Sequence, residues 1–389
     1  ATKVKEQTGR SLSINGDINL TFYPWLGINV EGVSLSNTAN FGDTPFLETK
    51  TIKARAKLLP LLRKELEMDT LVLYGARVNL VRDAKGLNNW DDLVNSEDKK
   101  QNTNQNLPFA ALILGGIDIK DANIQWRDMQ QGIEYNITNT NIHTGELKLG
   151  EPIDITASSK VVATKPAVSS SIQFTGTVSY EDNGDILILK PMSLEAAVSG
   201  KEIPGGETLL KLNSEIKMNF DEDTVEINSL DLMAFDTTIK GQTKVSDLLS
   251  GTPKVTSTIS MNGKDLPRLF KIAEIEPLAS ELGKLPNKTF NANASLHADL
   301  VNKDLDIDEL VLNVFGNKIN AEIYTRNLGS DTPAARGKLN ASGPDLPPLI
   351  KIAYQFSGAS KKEINSLAKQ LASTPKLFNI ESVFDIDLK

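Results

Sequence analysis

"GRSLSINGDINLTF", residues 9–22, places an apolar or small residue at every even position from Leu12 to Phe22. Leu12, Ile14, Gly16, Ile18, Leu20 and Phe22 share one parity, and Ser11, Ser13, Asn15, Asp17, Asn19 and Thr21 share the other. A period of two is that of a β-strand with one oily face and one wet face. The same pattern returns along most of the chain, so the fold turns on what covers the oily face.

Alternation resumes at Ile28 and Val30, at Val33 and Leu35, and at Leu66 and Met68. It continues at Leu71 and Leu73, Val78 and Leu80, Ile117 and Ile119, and Ile124 and Trp126. Changes of parity at Gly32 and around Thr70 predict bulges or turns. Further strands are predicted over 172–180, 210–220, 237–245, 255–261 and 290–300. "EDNGD" at 181–185 carries the Asn-Gly of a tight hairpin, and "DEDT" at 221–224 is a polar turn. The chain reads as an antiparallel meander with few helices.

Helices are predicted in four places. Residues 1–8 read as a helix end with Gly9 as its C-cap. Residues 53–66 hold a short amphipathic helix or an apolar corner at Leu58, Leu59, Leu61 and Leu62. Residues 264–285 and 344–372 read as helices with Asp265 and Asp345 as N-caps and prolines in the first turn. Residues 95–106, polar and aperiodic, read as a flexible loop between an N-terminal segment, 1–94, and the remainder, 107–389.

The two later helical stretches are copies. Gly263, Asp265, Leu266, Pro267, Leu269, Lys271, Ile272 and Ala273 match Gly343, Asp345, Leu346, Pro347, Leu349, Lys351, Ile352 and Ala353, 80 positions on. Ile227, Leu230, Leu232, Phe235 and Ile239 match Ile307, Leu310, Leu312, Phe315 and Ile319 at the same offset. Units over about 225–304 and 305–389, the second incomplete, imply an elongated stack of one sheet-plus-helix motif. The chain is therefore expected to be a fragment or to end on a partial unit.

Composition excludes several classes. Fifty acidic and 42 basic residues give a net charge of −8 without a basic stripe, which argues against a nucleic-acid partner. Without cysteine there is no disulfide, thiolate zinc site or thiol nucleophile. The longest apolar run, 107–117, falls short of the ~20 residues of a membrane-spanning helix. His143 and His297 are isolated on strands, and Asp304, Asp306 and Asp308 alternate with Leu305 and Ile307 as a solvated strand face does. No nucleotide, hydrolase or metalloprotease motif occurs, so neither catalytic residues, nor a metal, nor a cofactor is expected.

Residues 8–93 resemble the N-terminal region of the AsmA family, envelope proteins of Gram-negative bacteria related to TamB. The residues that carry the likeness are "TGRSLSINGDINLTFYPWLGINVEGVSLSN", "FGDTPFLETKTIKARAKLLPLL" and "LEMDTLVLYGARVNLVRDAKGLNNWDDL", followed by "GGIDIKDANIQWRD". The family's inner-membrane helix has no counterpart here, which fits an excised soluble portion. The resemblance implies a periplasmic, inner-membrane-tethered, non-enzymatic protein that moves glycerophospholipids between inner and outer membranes along a β-groove. It also implies a second possibility, an outer-membrane protein assembly factor whose sheet edges engage envelope proteins.

Periodicity alone favours a second sheet as the cover, giving a sandwich. Repeat and resemblance together favour a long curved antiparallel sheet that forms an open or partly closed groove, with a few short helices capping or rimming it. Exposing a ~16-carbon chain to water costs on the order of 12 kcal/mol, so a row of apolar residues repeated at each strand keeps that cost level along a path. The candidate lipid-facing residues are Leu12, Ile14, Ile18, Leu20, Phe22, Ile28, Val30, Leu71, Leu73, Val78, Leu80, Ile172, Phe174, Val178, Leu212, Ile216 and Met218. Each is equally the kind of residue that fills an ordinary core.

Overall fold

The structure is a computed structural model. It describes residues 2–22, 25–63, 65–94, 112–148, 150–181, 184–273, 275, 279–280, 282–330, 332–356, 366 and 377–387. Two compact units emerge, residues 1–180 with 193–207, and residues 181–192 with 208–389. Both are built mainly from strands.

Unit 1 begins with α1 (Thr2–Thr8), which stops where Gly9 takes a φ of +72° and donates its N–H to Lys5 O at 2.9 Å. Strands β1 (Leu12–Ile14) and β2 (Ile18–Thr21) both pair with the long β3 (Trp25–Leu35), and β3 pairs with β4 (Leu47–Lys57). A short helix, α2 (Leu58–Leu62), follows where Pro60 and the leucines interrupt alternation. Then come β5 (Leu66–Met68), β6 (Leu71–Tyr74) and β7 (Arg77–Arg82), all against β4. After α3 (Asp91–Val94) the unit continues with β8 (Leu112–Leu114), β9 (Ile117–Asp128), β10 (Ile133–Thr144), β11 (Ile153–Thr164) and β12 (Ala167–Glu181). Strand β13 (Ile186–Gly200) contributes residues to each unit.

The meander is not purely antiparallel. β8 runs parallel to β5, and β9 runs parallel to β6 and β7. Parallel neighbours need a crossover connection rather than a hairpin. Local periodicity carries no signal for such a pairing. The proposed loop at 95–106 lies outside the described residues, as do Asp182 and Asn183 of the proposed hairpin and most of 357–372.

A buried polar clamp ties the start of unit 1 to its middle. Arg10 is fully buried, and its guanidinium donates to both carboxylate oxygens of Asp92, at 2.8 and 2.6 Å, and to Ser36 O at 3.3 Å. It also lies 4.4 Å from the centre of the Phe46 ring. Asn89, equally buried, accepts from Val81 N and donates to Asn79 O and Asn37 Oδ1. Asn89 thus plugs three backbone and side-chain groups that would otherwise be stranded away from water.

Unit 2 is antiparallel throughout. β14 (Glu207–Asn219), β15 (Thr224–Ala234), β16 (Thr237–Ser246) and β17 (Lys254–Gly263) pair in sequence order. Helix α4 (Leu266–Ile272) follows, capped by the Asp265 carboxylate accepting from Arg268 N at 3.1 Å. Then β18 (Phe290–Asp299), β19 (Asp304–Val314), β20 (Asn317–Arg326) and β21 (Ala334–Gly343) add on, and after α5 (Leu346–Phe356) comes β22 (Phe378–Asp387). Among the described residues this ladder does not close on itself.

The 80-residue spacing extends to the backbone. Residues 224, 237, 254 and 266 start β15, β16, β17 and α4, and residues 304, 317, 334 and 346 start β19, β20, β21 and α5. Left-handed residues recur in the same register: Asp223 and Lys303, Phe235 and Phe315, Asp236 and Gly316, Asp247 and Asn327. Two consecutive positive φ values at 235–236 and at 315–316 mark two-residue hairpins whose twist suits the flanking strands. The bulges between Ile227 and Leu230 and between Ile307 and Leu310 are likewise copies. One motif, bulge included, is built twice.

Candidate functional site

Cross-strand register turns the alternating pattern into rows. In unit 1, Ile18 stands opposite Val30, Val30 opposite Ile52, Ile52 opposite Leu73 and Leu73 opposite Ile119. The row goes on from Ile119 to Ile142, Ala157 and Phe174. A second row runs Leu12, Leu35, Leu47, Val78, Ile124, Ile137 and Val161. Ala157 and Val161 are four apart on the regular strand β11, so the two rows share one face. On β10 their partners, Ile142 and Ile137, are five apart; a left-handed residue, Asn139, and a register shift absorb the odd step. Gly32 on β3 and Asp121 on β9 sit between the rows in the same way.

Unit 2 repeats the arrangement. Leu212, Leu232, Ile239, Met261, Ala292, Leu312, Ile319, Ala341 and Ile380 form one row, with no polar member, from β14 to β22. Met218, Val225, Val245, Val255, Ala298 and Leu305 form another towards the opposite strand ends. Every candidate picked from the sequence falls on the face that these rows define, apart from Phe22, which lies just past the end of β2. Not one of them is fully buried, and Ile18, Leu20 and Phe22 are 54%, 56% and 66% exposed. Sheet cores of sandwiches bury such residues. Here the face is left half open, and a full side-chain burial worth roughly 1.5–3 kcal/mol per residue stays partly unrealised.

Two local features shape this face. In unit 1, a hollow of about 450 Å³ touches Ile119, Ile142, Ala157 and Phe174 of the first row together with polar residues at the alternate positions, among them Lys120, His143, Thr156 and Thr175. In unit 2, the helical insert packs on one row. Leu266, Leu269 and Phe270 of α4 join Leu282 in a cluster with Phe290, Val314 and Phe315, against which Met261, Leu312 and Ile319 pack. The insert covers that row and not the one through Val255 and Leu305. Periodicity missed this division, because it cannot tell which strand end a helix will lie across.

The opposite face is polar and ion-paired across strands. Lys240 meets Asp231 at 3.0 Å, and Lys244 meets Glu226 at 2.9 Å. Glu226 is held below the usual carboxylate range by the Lys244 hydrogen bond, despite some opposing desolvation. Arg326 grips Asp306 and reaches Asp304 at 3.7 Å, while His297 Nε2 lies 3.1 Å from Asp308. The three alternating aspartates are therefore engaged by neighbouring basic side chains on an outer face. His143 sits 3.3 Å from Asp118, well away from His297 in the chain. Among the described residues no group of three or more potential ligands could hold a metal ion. No described helix is long and apolar enough to cross a membrane.

The order of blocks along residues 8–93 now has a structural counterpart. The Gly-x-x-Asn-Trp element supplies the buried Asn89, and the Leu-Leu-Pro-Leu-Leu segment supplies α2. No curated protein and no solved structure matches this chain. The AsmA family model matches residues 1–345. By that match, which spans most of its length, the chain belongs to the AsmA family, whose members are associated with transport of lipid or protein at the cell envelope.

Proposed function

We propose that this chain is a non-enzymatic lipid carrier of the periplasm, tethered to the inner membrane in the whole protein, which conducts glycerophospholipid acyl chains along the apolar sheet face. The observation that carries the reading is the run of apolar residues from Ile18 to Phe174, one per strand, none of them fully buried. Eight strands at ~4.8 Å spacing make a row of roughly 34 Å, about twice the half-thickness of a bilayer's hydrocarbon core. A lipid tail thus fits lengthwise, and its headgroup stays in water beyond the open side. No headgroup-specific site is required, and the described face offers no cluster of cations to make one.

Family membership supports an envelope role, and the open face supports lipid over protein as the cargo. Native mass spectrometry of the purified chain tests it, together with extraction of bound lipid and uptake from liposomes. Copurifying phospholipid, displaced by a hydrophobic competitor, is the expected result. A lipid-free chain that takes up none from liposomes would sink the proposal. Crosslinkers along the sheet that capture only envelope proteins would favour the assembly role instead.

A further inference from the structure

Exposure of the apolar face in unit 1 is greatest at one strand end. Phe22, just past β2, is 66% exposed, and Leu26, the second residue of β3, is 37% exposed. Register puts Trp25 opposite Lys57, the last residue of β4, so α2 emerges at that same end. On α2, Leu59 is 74% exposed. A helix that only capped a core would turn its apolar residues inward, so this leucine has no use for the fold.

The charge around it is as unusual. Residues 53–63 hold Lys53, Arg55, Lys57 and Arg63 and no acid, within a chain of net charge −8. Arg55 and Lys57 are tempered by Asp69 at 2.9 Å and Glu67 at 2.7 Å. Lys53 and Arg63 are exposed, and Lys57 also lies 6.0 Å from the Trp25 ring centre. Exposed leucine and phenylalanine, with a tryptophan and basic side chains at the same strand end, are the chemistry of an anionic bilayer surface.

We infer that this strand end of unit 1, with Phe22, Leu59 and its basic side chains, docks on the surface of a bilayer containing anionic lipid. Resting on the acyl-carrying reading, the inference adds where tails enter. Once Phe22 and Leu59 dip among the headgroups, a tail reaches Leu20 and Ile28 without crossing water. The basic side chains hold the mouth there through an attraction that salt screens.

The absence of cysteine makes the test clean. Leu59→Cys carries an environment-sensitive fluorophore, and Leu249→Cys, at a 70% exposed turn of unit 2, is the control. Vesicles of equimolar phosphatidylcholine and phosphatidylglycerol are expected to bind the chain and to blue-shift the label at 59 but not at 249. Binding should fall steeply in high salt and on pure phosphatidylcholine. Leu59→Glu combined with Arg63→Glu should weaken it by at least about tenfold, while uptake of detergent-dispersed phospholipid stays normal. Unchanged vesicle binding by that double variant would overturn the inference, as would a shift at 59 only when membrane proteins are reconstituted. Vesicle binding without any acyl uptake would spare the docking surface and sink the acyl-carrying reading instead.

Discussion

Leu312 of β19 stands directly opposite Ile319 of β20, and both pack against the cluster that α4 and its following segment complete. Met261, in the same row, is covered with them, whereas Val255 on the same strand face lies three alternate positions away from the cover. Lipid in unit 2 should therefore follow the Val255 row. A photo-crosslinking residue at Val255 is expected to give phospholipid adducts by mass spectrometry, and one at Met261 almost none. Equal adducts at both positions would mean that the helical insert does not cover the path.

The clamp between Arg10 and Asp92 predicts a stability effect with a definite pH dependence. The Arg10 hydrogen bond holds the Asp92 carboxyl below its ordinary 3.8. A depressed folded value makes this contribution complete above the ordinary one and removes it as pH falls through the folded one. Asp92→Asn should lower stability at neutral pH and flatten the acid side of a urea-denaturation series carried down past about pH 3. Arg10→Met should cost more, about 3 kcal/mol or above, because it strands the Ser36 carbonyl and a partly buried carboxylate. An Asp92→Asn profile parallel to wild type at every pH would show that the pair is neutral.

Leu282, 1% exposed at the centre of the unit 2 cluster, should behave as an ordinary core residue. Leu282→Ala is expected to cost about 2–5 kcal/mol through lost transfer energy and a cavity. A loss below about 1 kcal/mol, measured by denaturant midpoint at constant slope, would mean that the cluster collapses around the gap.

Much of this was legible from alternation, since a strand writes its two faces into its own residues. Leu12 to Phe22 showed an oily face before any partner was known, and the change of parity at Gly32 coincides with a left-handed φ of +63° between the two rows. The offset of 80 was readable because the hairpin at Phe235 and the N-cap at Asp265 each recur as near-identical residues. What stayed hidden was non-local. Ile52 meets Leu73, and Leu73 meets Ile119, only through register with strands further along the chain, the second of these pairs parallel. Arg10 finds Asp92 across more than eighty residues, and a lone arginine in a polar stretch gives no hint that it will be buried.

The sharpest test of the face as a path is one charge placed on it. Phe174 and Met218 stand on rows in separate units, each only partly buried. A carboxylate at either position remains hydrated while the face is empty, so the burial penalty is small in the free chain. A tail passing over it must strip that water away at a cost of several kcal/mol. Phe174→Asp and Met218→Asp are each expected to abolish lipid transfer, with the thermal midpoint moved by no more than a few degrees. Ser171→Asp, on the opposite face of the same strand as Phe174 and outside the hollow of unit 1, should be silent in both assays. If the two inward variants unfold, those residues belong to a closed core; if they fold and still transfer lipid, the tails travel elsewhere.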